Sequence, residues 1–469
     1  MRSVYDPRVT RAGWLILAAL LVVQALLVLF EPPFDLTGDE PYYVSKARYL
    51  SEHGRLPRVD PAALAAEHGS GGNSDWRPQA YAVFLALVSG GDFTLPRLRT
   101  RTALAQFALI AAAVLLAYRA IARGASNRRR LAAAIILGIA PWPFAFVTSI
   151  GPDSPNAACV FFALYLLWRW VVAPERRLGL LFAASLLMSF TLHIRPEMIA
   201  VAPLMVALAA LLKRPRAIVR YGVVGACAFA ILLGVQLAYR TYFVGRFTPS
   251  IYGGLHIVNA GAFAWANSWL GSEHEAYDFV YAVTDGAARV PPLPERAFAN
   301  SGERATVTSL VARVRGERRY SRAVDEQFAA LARERNARDP FTTRVLTRLW
   351  HPLHQWVNLE TSTQLLYALA PLPRMARRGL LASLLALKLA LLGAFGWKVL
   401  RRRFAEPQLA TILAAYVIAR TLLTGFVLNW MVNRYAVSAW LPLLAVVLLA
   451  ASTRDVPSSD AGTGRALRA

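Results

Sequence analysis

The chain has 469 residues, of which 56% are hydrophobic and only 17% are charged. A helix needs about 20 apolar residues to cross a hydrocarbon core about 30 Å thick, and several uncharged stretches approach that length. This composition excludes a soluble multi-domain enzyme. The only two cysteines, Cys159 and Cys227, lie inside apolar stretches, which excludes a secreted disulfide scaffold.

The apolar stretches do not alternate polar and apolar residues, so we predict an all-α, polytopic transmembrane helical bundle of about 10–12 spans. The first stretch lacks a small-residue cleavage site, and we expect it to stay as an uncleaved span. Two further apolar stretches, 80–90 and 349–372, are predicted to be re-entrant or interfacial. The ten predicted spans are Trp14–Phe30, Thr102–Ala117, Leu131–Ile150, Pro155–Ala173, Leu178–Ile194, Pro196–Leu212, Tyr221–Tyr239, Leu380–Trp397, Leu409–Trp430 and Tyr435–Ala451.

The 52 lysines and arginines outnumber the 28 aspartates and glutamates, which gives a net charge of +24. Basic residues cluster at every second turn between predicted spans, as in the cytoplasmic loops of membrane proteins. We therefore expect a protein of the bacterial inner membrane with both termini on the cytoplasmic side. We attribute the charge to membrane anchoring and expect no nucleic-acid partner. Three arginines of the first outer loop, Arg97, Arg99 and Arg101, run against this bias.

Carboxylates begin the first outer loop shortly after the first span. Asp39 and Glu40 precede Pro41, and such a cluster is also typical of an ordinary helix start. The functional alternative is that they meet a lipid-borne head group at the membrane surface. Beyond them, an apolar stripe is predicted along an interfacial helix, with Lys46 and Arg48 pointing elsewhere. The stripe consists of Tyr43, Ala47 and Leu50.

Further polar residues fall at the outer ends of other spans. Asp153 is either a helix cap or a functional acid, and Arg195 is either a membrane anchor or a phosphate ligand. Arg434 reaches the same level before the last span. Together with Asp39 these residues come from four segments, and such a mixture suits transfer between an anionic lipid donor and a hydroxyl acceptor.

The pattern resembles the GT-C superfamily of integral-membrane glycosyltransferases, and within it the bacterial branch of the lipid A aminoarabinose transferase and the protein O-mannosyltransferases. The resemblance covers nearly the whole chain in order. Its motifs are Gly38-Asp-Glu-Pro-Tyr-Tyr43 with Ala47, Arg77-Pro-Gln-Ala-Tyr81, Pro152-Asp-Ser154, Arg195-Pro196, Glu326-Gln-Phe to Arg338-Asp-Pro340 with Trp350, and Asn433-Arg-Tyr-Ala-Val437 with Pro442.

The resemblance implies a GT-C fold and an inverting transfer from a polyprenyl-phosphate-linked sugar to a glycan, lipid or protein hydroxyl on the periplasmic side. It implies that Asp39 is the general base, with Glu40 as a second catalytic residue. Lys46, Arg195 and Arg434 are then expected to bind the donor phosphate. The residues expected to contact substrate are Tyr43, Arg77, Tyr81, Asp153, His193 and Tyr435.

The chain departs from the family at Pro41 and His193, and its long central loop shows no clear kinship. Adjacent Asp39 and Glu40 could hold Mg²⁺, but the sequence offers too few further oxygen ligands, so no metal and no cofactor is predicted. His351 and His354 have metal-ligand spacing and are interpreted as interfacial. Two mid-span cations, Lys388 and Arg420, are expected to make structural pairs inside the bundle.

We divide the chain into an N-terminal transmembrane module at 1–239 with its catalytic loop at 31–101, an outer cap at 240–379, C-terminal spans at 380–451 and a disordered cytoplasmic tail at 452–469. A helix is predicted at Ala323–Arg338, and the cap is expected to select the acceptor and exclude water. Aromatic residues after the seventh span are interpreted as a membrane belt, with sugar stacking as the alternative: Tyr252, His256, Trp265 and Trp269.

A transporter or flippase is the alternative function. Such proteins usually show related halves and polar groups at mid-membrane. This chain shows no repeat, and its acidic residues lie mainly in the outer segments, which favours the enzyme.

Overall fold

The computed structural model of the chain describes residues 7–30, 40–56, 79–123, 125–174, 177–195, 198, 200–244, 260–269, 271, 274–284, 290–317, 320–357, 373–424 and 436–450. Every regular element within these ranges is helical, which confirms the predicted all-α class. The α-helices are α1 Pro7–Leu29, α2 Glu40–His53, α3 Gln79–Ser89, α4 Leu95–Ala122, α5 Asn127–Ile139, α6 Asp153–Val172, α7 Leu178–Ile194, α8 Val201–Lys213, α9 Ile218–Val244, α10 Ala260–Ala266, α11 Phe279–Thr284, α12 Ser301–Glu317, α13 Arg322–Arg338, α14 Thr347–Val357, α15 Arg374–Arg401, α16 Pro407–Leu422 and α17 Val437–Leu448.

Five helical stretches are long and apolar enough to cross a membrane. They are Arg11–Leu29, Leu95–Ala122, Asp153–Val172, Pro215–Val235 and Arg378–Arg401. Helices α3, α7, α8, α16 and α17 are also apolar but shorter. Large apolar side chains such as Leu15 and Val219 are exposed on the long helices, as expected for surfaces that meet lipid.

The predicted span Leu131–Ile150 is wrong as a continuous helix. Helix α5 ends at Ile139, and a short 3₁₀ turn at Trp142–Phe144 follows. The cause is local, because Pro141 and Pro143 lack the N–H groups that would continue the helix. The chain then runs without regular structure to Asp153. Non-helical backbone at membrane depth needs protein partners, and this connection is largely buried.

Glutamine supplies part of that compensation. The Gln106 side chain on α4 donates from Nε2 to the carbonyl oxygens of Val147 and Ser149, each at 2.8 Å. These bonds satisfy two acceptors that a helix would otherwise have satisfied. They also fix the connection against α4.

One large apolar cluster joins the membrane helices, and aromatic rings lie at its centre. Trp142 stacks on Trp440 of α17 with ring centroids 4.7 Å apart. The Lys388 ammonium of α15 lies 5.9 Å and 5.4 Å from the centroids of these two rings. The expected structural pairing of Lys388 inside the bundle is thus a cation–π contact. Arg420 is buried as well, with 2% of its surface exposed.

Helices α1 and α5 pack closely at a glycine. A Cβ atom built on Gly138 of α5 would lie 2.7 Å from both Cβ and Cδ1 of Leu20 on α1. Real Cβ contacts are almost never that short, so a larger residue here would push the helices apart. Glycine at position 138 therefore sets the distance between these two helices.

A second, smaller apolar cluster forms the core of the cap. Helix α13 confirms the predicted element almost to the residue, and its Val324 and Phe328 are fully buried there. Trp265 and Trp269 belong to the same core, with 0% and 3% of their surface exposed. The interpretation of these tryptophans as a membrane belt is therefore wrong, while Tyr252 and His256 lie outside the described residues.

Within the cap, helices α10 and α13 are joined by hydrogen bonds and pack closely together. The Asp325 carboxylate of α13 accepts hydrogen bonds from the backbone N–H groups of Gly261 and Ala262, at 2.9 Å and 3.1 Å, and from the Tyr320 hydroxyl at 2.7 Å. A Cβ on Gly261 would lie 2.0 Å from the Asp325 carbonyl oxygen. Glycine is required where α10 meets α13.

Helix α14 connects the cap core with the bundle. Its Trp350 donates from Nε1 to the carbonyl oxygen of Gly271 at 3.1 Å, and its Trp356 donates to Thr421 Oγ1 at 3.0 Å. His351 on the same helix is fully buried, and its interpretation as an interfacial residue stays a prediction.

Candidate functional site

The outer loop is anchored to the membrane bundle through Glu40, the first residue of α2. Its carboxylate oxygen Oε1 accepts the backbone N–H of Ile150 at 2.8 Å and the Ser149 hydroxyl at 3.3 Å. Its other oxygen accepts from Arg99 Nη2 at 3.2 Å. Glu40 is buried with 7% of its surface exposed, so this ion pair is shielded from solvent.

The three arginines that run against the predicted charge bias, Arg97, Arg99 and Arg101, have structural partners. Arg99 lies on α4 and pairs with Glu40. Arg97 pairs with Asp92 at 3.0 Å, and Arg101 donates to the carbonyl oxygen of Ser89. Each therefore binds a group of its own segment of the chain.

Asp153 and Arg195 form a second buried acid–base pair. Asp153 is the first residue of α6, and its carboxylate binds the guanidinium of Arg195 just after α7. Both side chains are less than a tenth exposed. The capping alternative for Asp153 is wrong, because its side chain is used in this ion pair and the cap position of α6 is Pro152.

Two buried tyrosine rings join α2 and α3. Tyr43 and Tyr81 make an edge-to-face contact with centroids 4.9 Å apart. Tyr81 is 1% exposed, and its hydroxyl has no hydrogen-bond partner among the described residues. Burial raises its pKa well above the ordinary value, and electrostatic interactions with Tyr43, Glu40 and Asp153 add to this shift. The hydroxyl therefore stays protonated, and the negative charges of both Glu40 and Asp153 act on it.

Lys46 differs from its predicted orientation. It is buried on the same face of α2 as Tyr43 and Ala47, and its Nζ donates to Gln79 Oε1 on α3 at 3.2 Å. Arg48 does point elsewhere, since it is exposed, and its guanidinium lies 5.8 Å from the Phe93 ring centroid. Lys46 thus joins α2 to α3 and places a cation in the same segment as Glu40 and Tyr43.

Of the other predicted site residues, the structure describes only His193. His193 is half-buried in the last turn of α7, two positions before Arg195. Asp39, Arg77, Arg434 and Tyr435 lie outside the described residues. Their roles stay predictions.

The described residues contain no group of three or more histidines, cysteines, aspartates or glutamates that could hold a metal ion. Of the residues considered for Mg²⁺, Glu40 already uses both carboxylate oxygens for protein donors. Any ligand role of Asp39 lies beyond this description.

Sequence reasoning missed Arg99 and the Ser149–Ile150 backbone as parts of this site. Arg99 gave a signal, because a cation on the wrong side of the membrane needs a partner. The Ile150 N–H gave none, since every residue other than proline carries one. Only the fold brings it to Glu40.

The arrangement offers two buried carboxylates, each matched by an arginine, together with a protonated tyrosine hydroxyl and a lysine. It can bind a polar head group and hold neighbouring groups in fixed positions. Buried ion pairs of this kind also keep charge available in a low-dielectric region, where it acts strongly on a ligand.

No protein-family model and no curated protein matches the chain. Among solved structures, the oligosaccharyltransferase of Archaeoglobus fulgidus in the apo form is similar, with 14% identity and a TM-score of 0.48 over 95% of this chain and 50% of that one. The same enzyme in complex with Zn and sulfate is 12% identical, with a TM-score of 0.43 over 92% of this chain and 48% of that one.

The form tethered with an acceptor peptide is 12% identical, with a TM-score of 0.35 over 90% of this chain and 55% of that one. The chain therefore spans about half the length of these structures. An oligosaccharyltransferase transfers glycosyl groups, as the enzymes named by the sequence resemblance do. All three TM-scores lie below 0.5.

Proposed function

We propose that the chain is an inverting glycosyltransferase of GT-C type in a bacterial inner membrane. It moves a sugar from a polyprenyl-phosphate-linked donor to a hydroxyl of an envelope glycan, lipid or protein on the periplasmic face. The observation that carries the proposal is the presence of two buried ion pairs, Glu40–Arg99 and Asp153–Arg195, whose acids both raise the pKa of the buried Tyr81. The charge distribution between the spans supports the outward orientation.

The reaction needs a base on one side of the anomeric carbon and cations on the other. Asp39 takes the proton of the acceptor hydroxyl while the acceptor oxygen bonds to the anomeric carbon. The bond from that carbon to the phosphate oxygen breaks, and its electron pair leaves with the lipid phosphate. Inversion follows because the attacking and departing oxygens lie on opposite faces of the sugar.

Cationic side chains stabilise the departing phosphate. Arg195 is held by Asp153, so its guanidinium is oriented before the donor arrives. Lys46 and Arg434 are the other proposed phosphate ligands. Tyr43, Tyr81, Arg77, His193 and Tyr435 are proposed to contact the sugar or the acceptor.

Glu40 acts by position. Consecutive Cα atoms are about 3.8 Å apart, so fixing Glu40 to the Ile150 N–H restricts where its neighbour Asp39 can lie. This role explains why the second acid of the pair is fully engaged by protein donors.

The test uses the full chain in lipid nanodiscs with a panel of undecaprenyl-phosphate sugars and envelope acceptors. Asp39→Asn should abolish transfer and leave the melting temperature unchanged, whereas Asp35→Asn, an acid of the same loop, should keep transfer. Absence of transfer by the wild type across the panel would contradict the proposal. Movement of the lipid-linked sugar across the bilayer by Asp39→Asn protein would favour the flippase instead.

A further inference from the structure

A cleft of about 310 Å³ opens in the cap, and none of the residues of the Glu40–Arg99 and Asp153–Arg195 pairs lines it. Its walls come from the chain after α10, from the 3₁₀ turn at Glu295–Ala297 and the residues after it, and from the end of α13. This volume lies at the lower end of the range for small-molecule sites. Three of its lining side chains are arginines: Arg296, Arg335 and Arg338.

The inner wall of the cleft is rigid. Arg335 binds both carboxylate oxygens of Glu303, from Nε at 2.5 Å and from Nη2 at 2.9 Å. Glu303 also accepts the Trp265 indole N–H at 2.6 Å and the Ala299 backbone N–H at 2.7 Å. With four such bonds, this ion pair is saturated and is not displaced by a ligand.

A donor without an acceptor also lines the cleft. Trp269 is 3% exposed, and its indole N–H has no hydrogen-bond partner in the part of the chain that the structure describes. A buried donor left unsatisfied costs about 1–3 kcal/mol. The indole nitrogen is itself buried, so a ligand in the cleft reaches it only if the ring shifts.

The outer wall carries exchangeable cations. Arg338 and Arg296 pair with Glu334 and Glu275, and the two guanidinium side chains are 49% and 60% exposed. Exposed pairs of this kind contribute about 0–1 kcal/mol, so an incoming anion can replace the glutamates at little cost.

One acid, Asp339, also lines the cleft. The Asp339 carboxylate accepts the backbone N–H of Thr342 at 2.9 Å, where the next helical segment begins. The hydrogen bonds of Thr342 hold its pKa below the ordinary value. The acid therefore stays ionised and opposes an incoming anion, so the three arginines of the cleft must outweigh this one carboxylate.

We propose that this cleft binds a carboxylate- or phosphate-bearing glycan through the guanidinium groups of Arg296 and Arg338. The glycan part rests on the proposed transferase function, in which the cap meets the acceptor. The anion part rests on the cleft alone. Binding in the cleft precedes transfer and does not require it.

Binding of two matched probe pairs to the full chain in nanodiscs tests this proposal by calorimetry. The anionic probes are a galacturonate trimer and mannose 6-phosphate, and the neutral ones are the methyl-esterified trimer and mannose. At least one anionic probe should bind, and its neutral partner should bind about tenfold more weakly or not at all.

The double variant Arg296→Gln with Arg338→Gln should weaken the anionic probe about tenfold or more. The matched control is Arg322→Gln. Arg322 lies on the same helix as Arg338, also pairs with a glutamate four positions away, Glu326, and lies outside the cleft. Equal loss in this control, equal binding of the neutral probes, or no binding of either anion would overturn the proposal. Asp39→Asn protein should bind as the wild type does, which separates this test from that of the transferase.

Discussion

At the scale of single residues, Glu40 is the group that joins the outer loop to the bundle. Its partners come from α4 and from the irregular connection before α6, more than fifty positions away along the chain. A buried carboxylate in this setting contributes to stability only as long as its charge is matched.

Glu40→Gln removes the negative charge that faces Arg99. We expect the free energy of unfolding to fall by about 3 kcal/mol, since breaking a buried ion pair leaves an uncompensated charge. The melting temperature of the purified protein in detergent measures this. Glu52→Gln, an exposed acid of the same helix, is the control and should leave the melting temperature unchanged. Equal values for the two variants would refute the anchoring role.

The sequence located part of this chemistry. Asp153 and Arg195 could be placed at one level because each adjoins a span, and the structure pairs them. Arg99 and the Ile150 N–H could not be identified, because their role depends on how a non-helical connection folds back. Residue type alone does not reveal such a contact.

At the scale of elements, helix packing is controlled by small residues. Gly138→Ala should weaken the contact of α1 with α5 and lower stability by about 1–3 kcal/mol, because the new methyl group meets Leu20. Gly222→Ala is the control, since a Cβ there meets nothing within 4 Å and alanine favours helix. The melting temperatures of the two variants should move in opposite directions or differ clearly. A stabilised Gly138→Ala protein would show that α1 packs differently.

The cap should be sensitive to acid through Glu303. Burial raises the pKa of this carboxyl, but the hydrogen bonds of Arg335, Trp265 and Ala299 outweigh it, so the pKa lies below the ordinary 4.5. Its stabilising contribution is therefore present above pH 4.5 and is lost as the pH falls through the depressed folded value.

Hydrogen exchange of residues 301–338 between pH 7 and pH 3, corrected for intrinsic rates, measures this contribution. Glu303→Gln should lower protection at pH 7 and flatten the loss of protection on acidification. Glu326→Gln, which removes an exposed acid on α13, should follow the wild type. An unchanged pH profile in Glu303→Gln would mean that the pair does not stabilise the cap.

Elements were predictable where periodicity and stop signals agreed. Helix α7 begins and ends at the predicted Leu178 and Ile194. The span Leu131–Ile150 failed because hydrophobicity counted Pro141 and Pro143 as apolar, while their backbone ends the helix. Hydropathy measures transfer from water and does not register a missing donor.

At the scale of the whole molecule, the apolar helices and the basic clusters fix one expected topology. A reporter fused after Arg403, just beyond α15, should be cytoplasmic, because Lys398 and Arg401 to Arg403 follow that span. Alkaline phosphatase and green fluorescent protein fusions at this position report opposite sides. An active phosphatase would place Arg403 in the periplasm and would show that the predicted number of membrane crossings before it is wrong by an odd number. A fusion after Gly90 should give the periplasmic signal for comparison.

The bond from the Ile150 amide to Glu40 has a consequence for how such a protein can diverge. Because the donor belongs to the main chain, the side chain at position 150 can drift among many apolar types without loosening the loop. Proline is the exception, since it has no amide hydrogen. A lineage could thus rewrite the lining of this region while inheriting the same attachment point, and relatives with little overall identity could still share it.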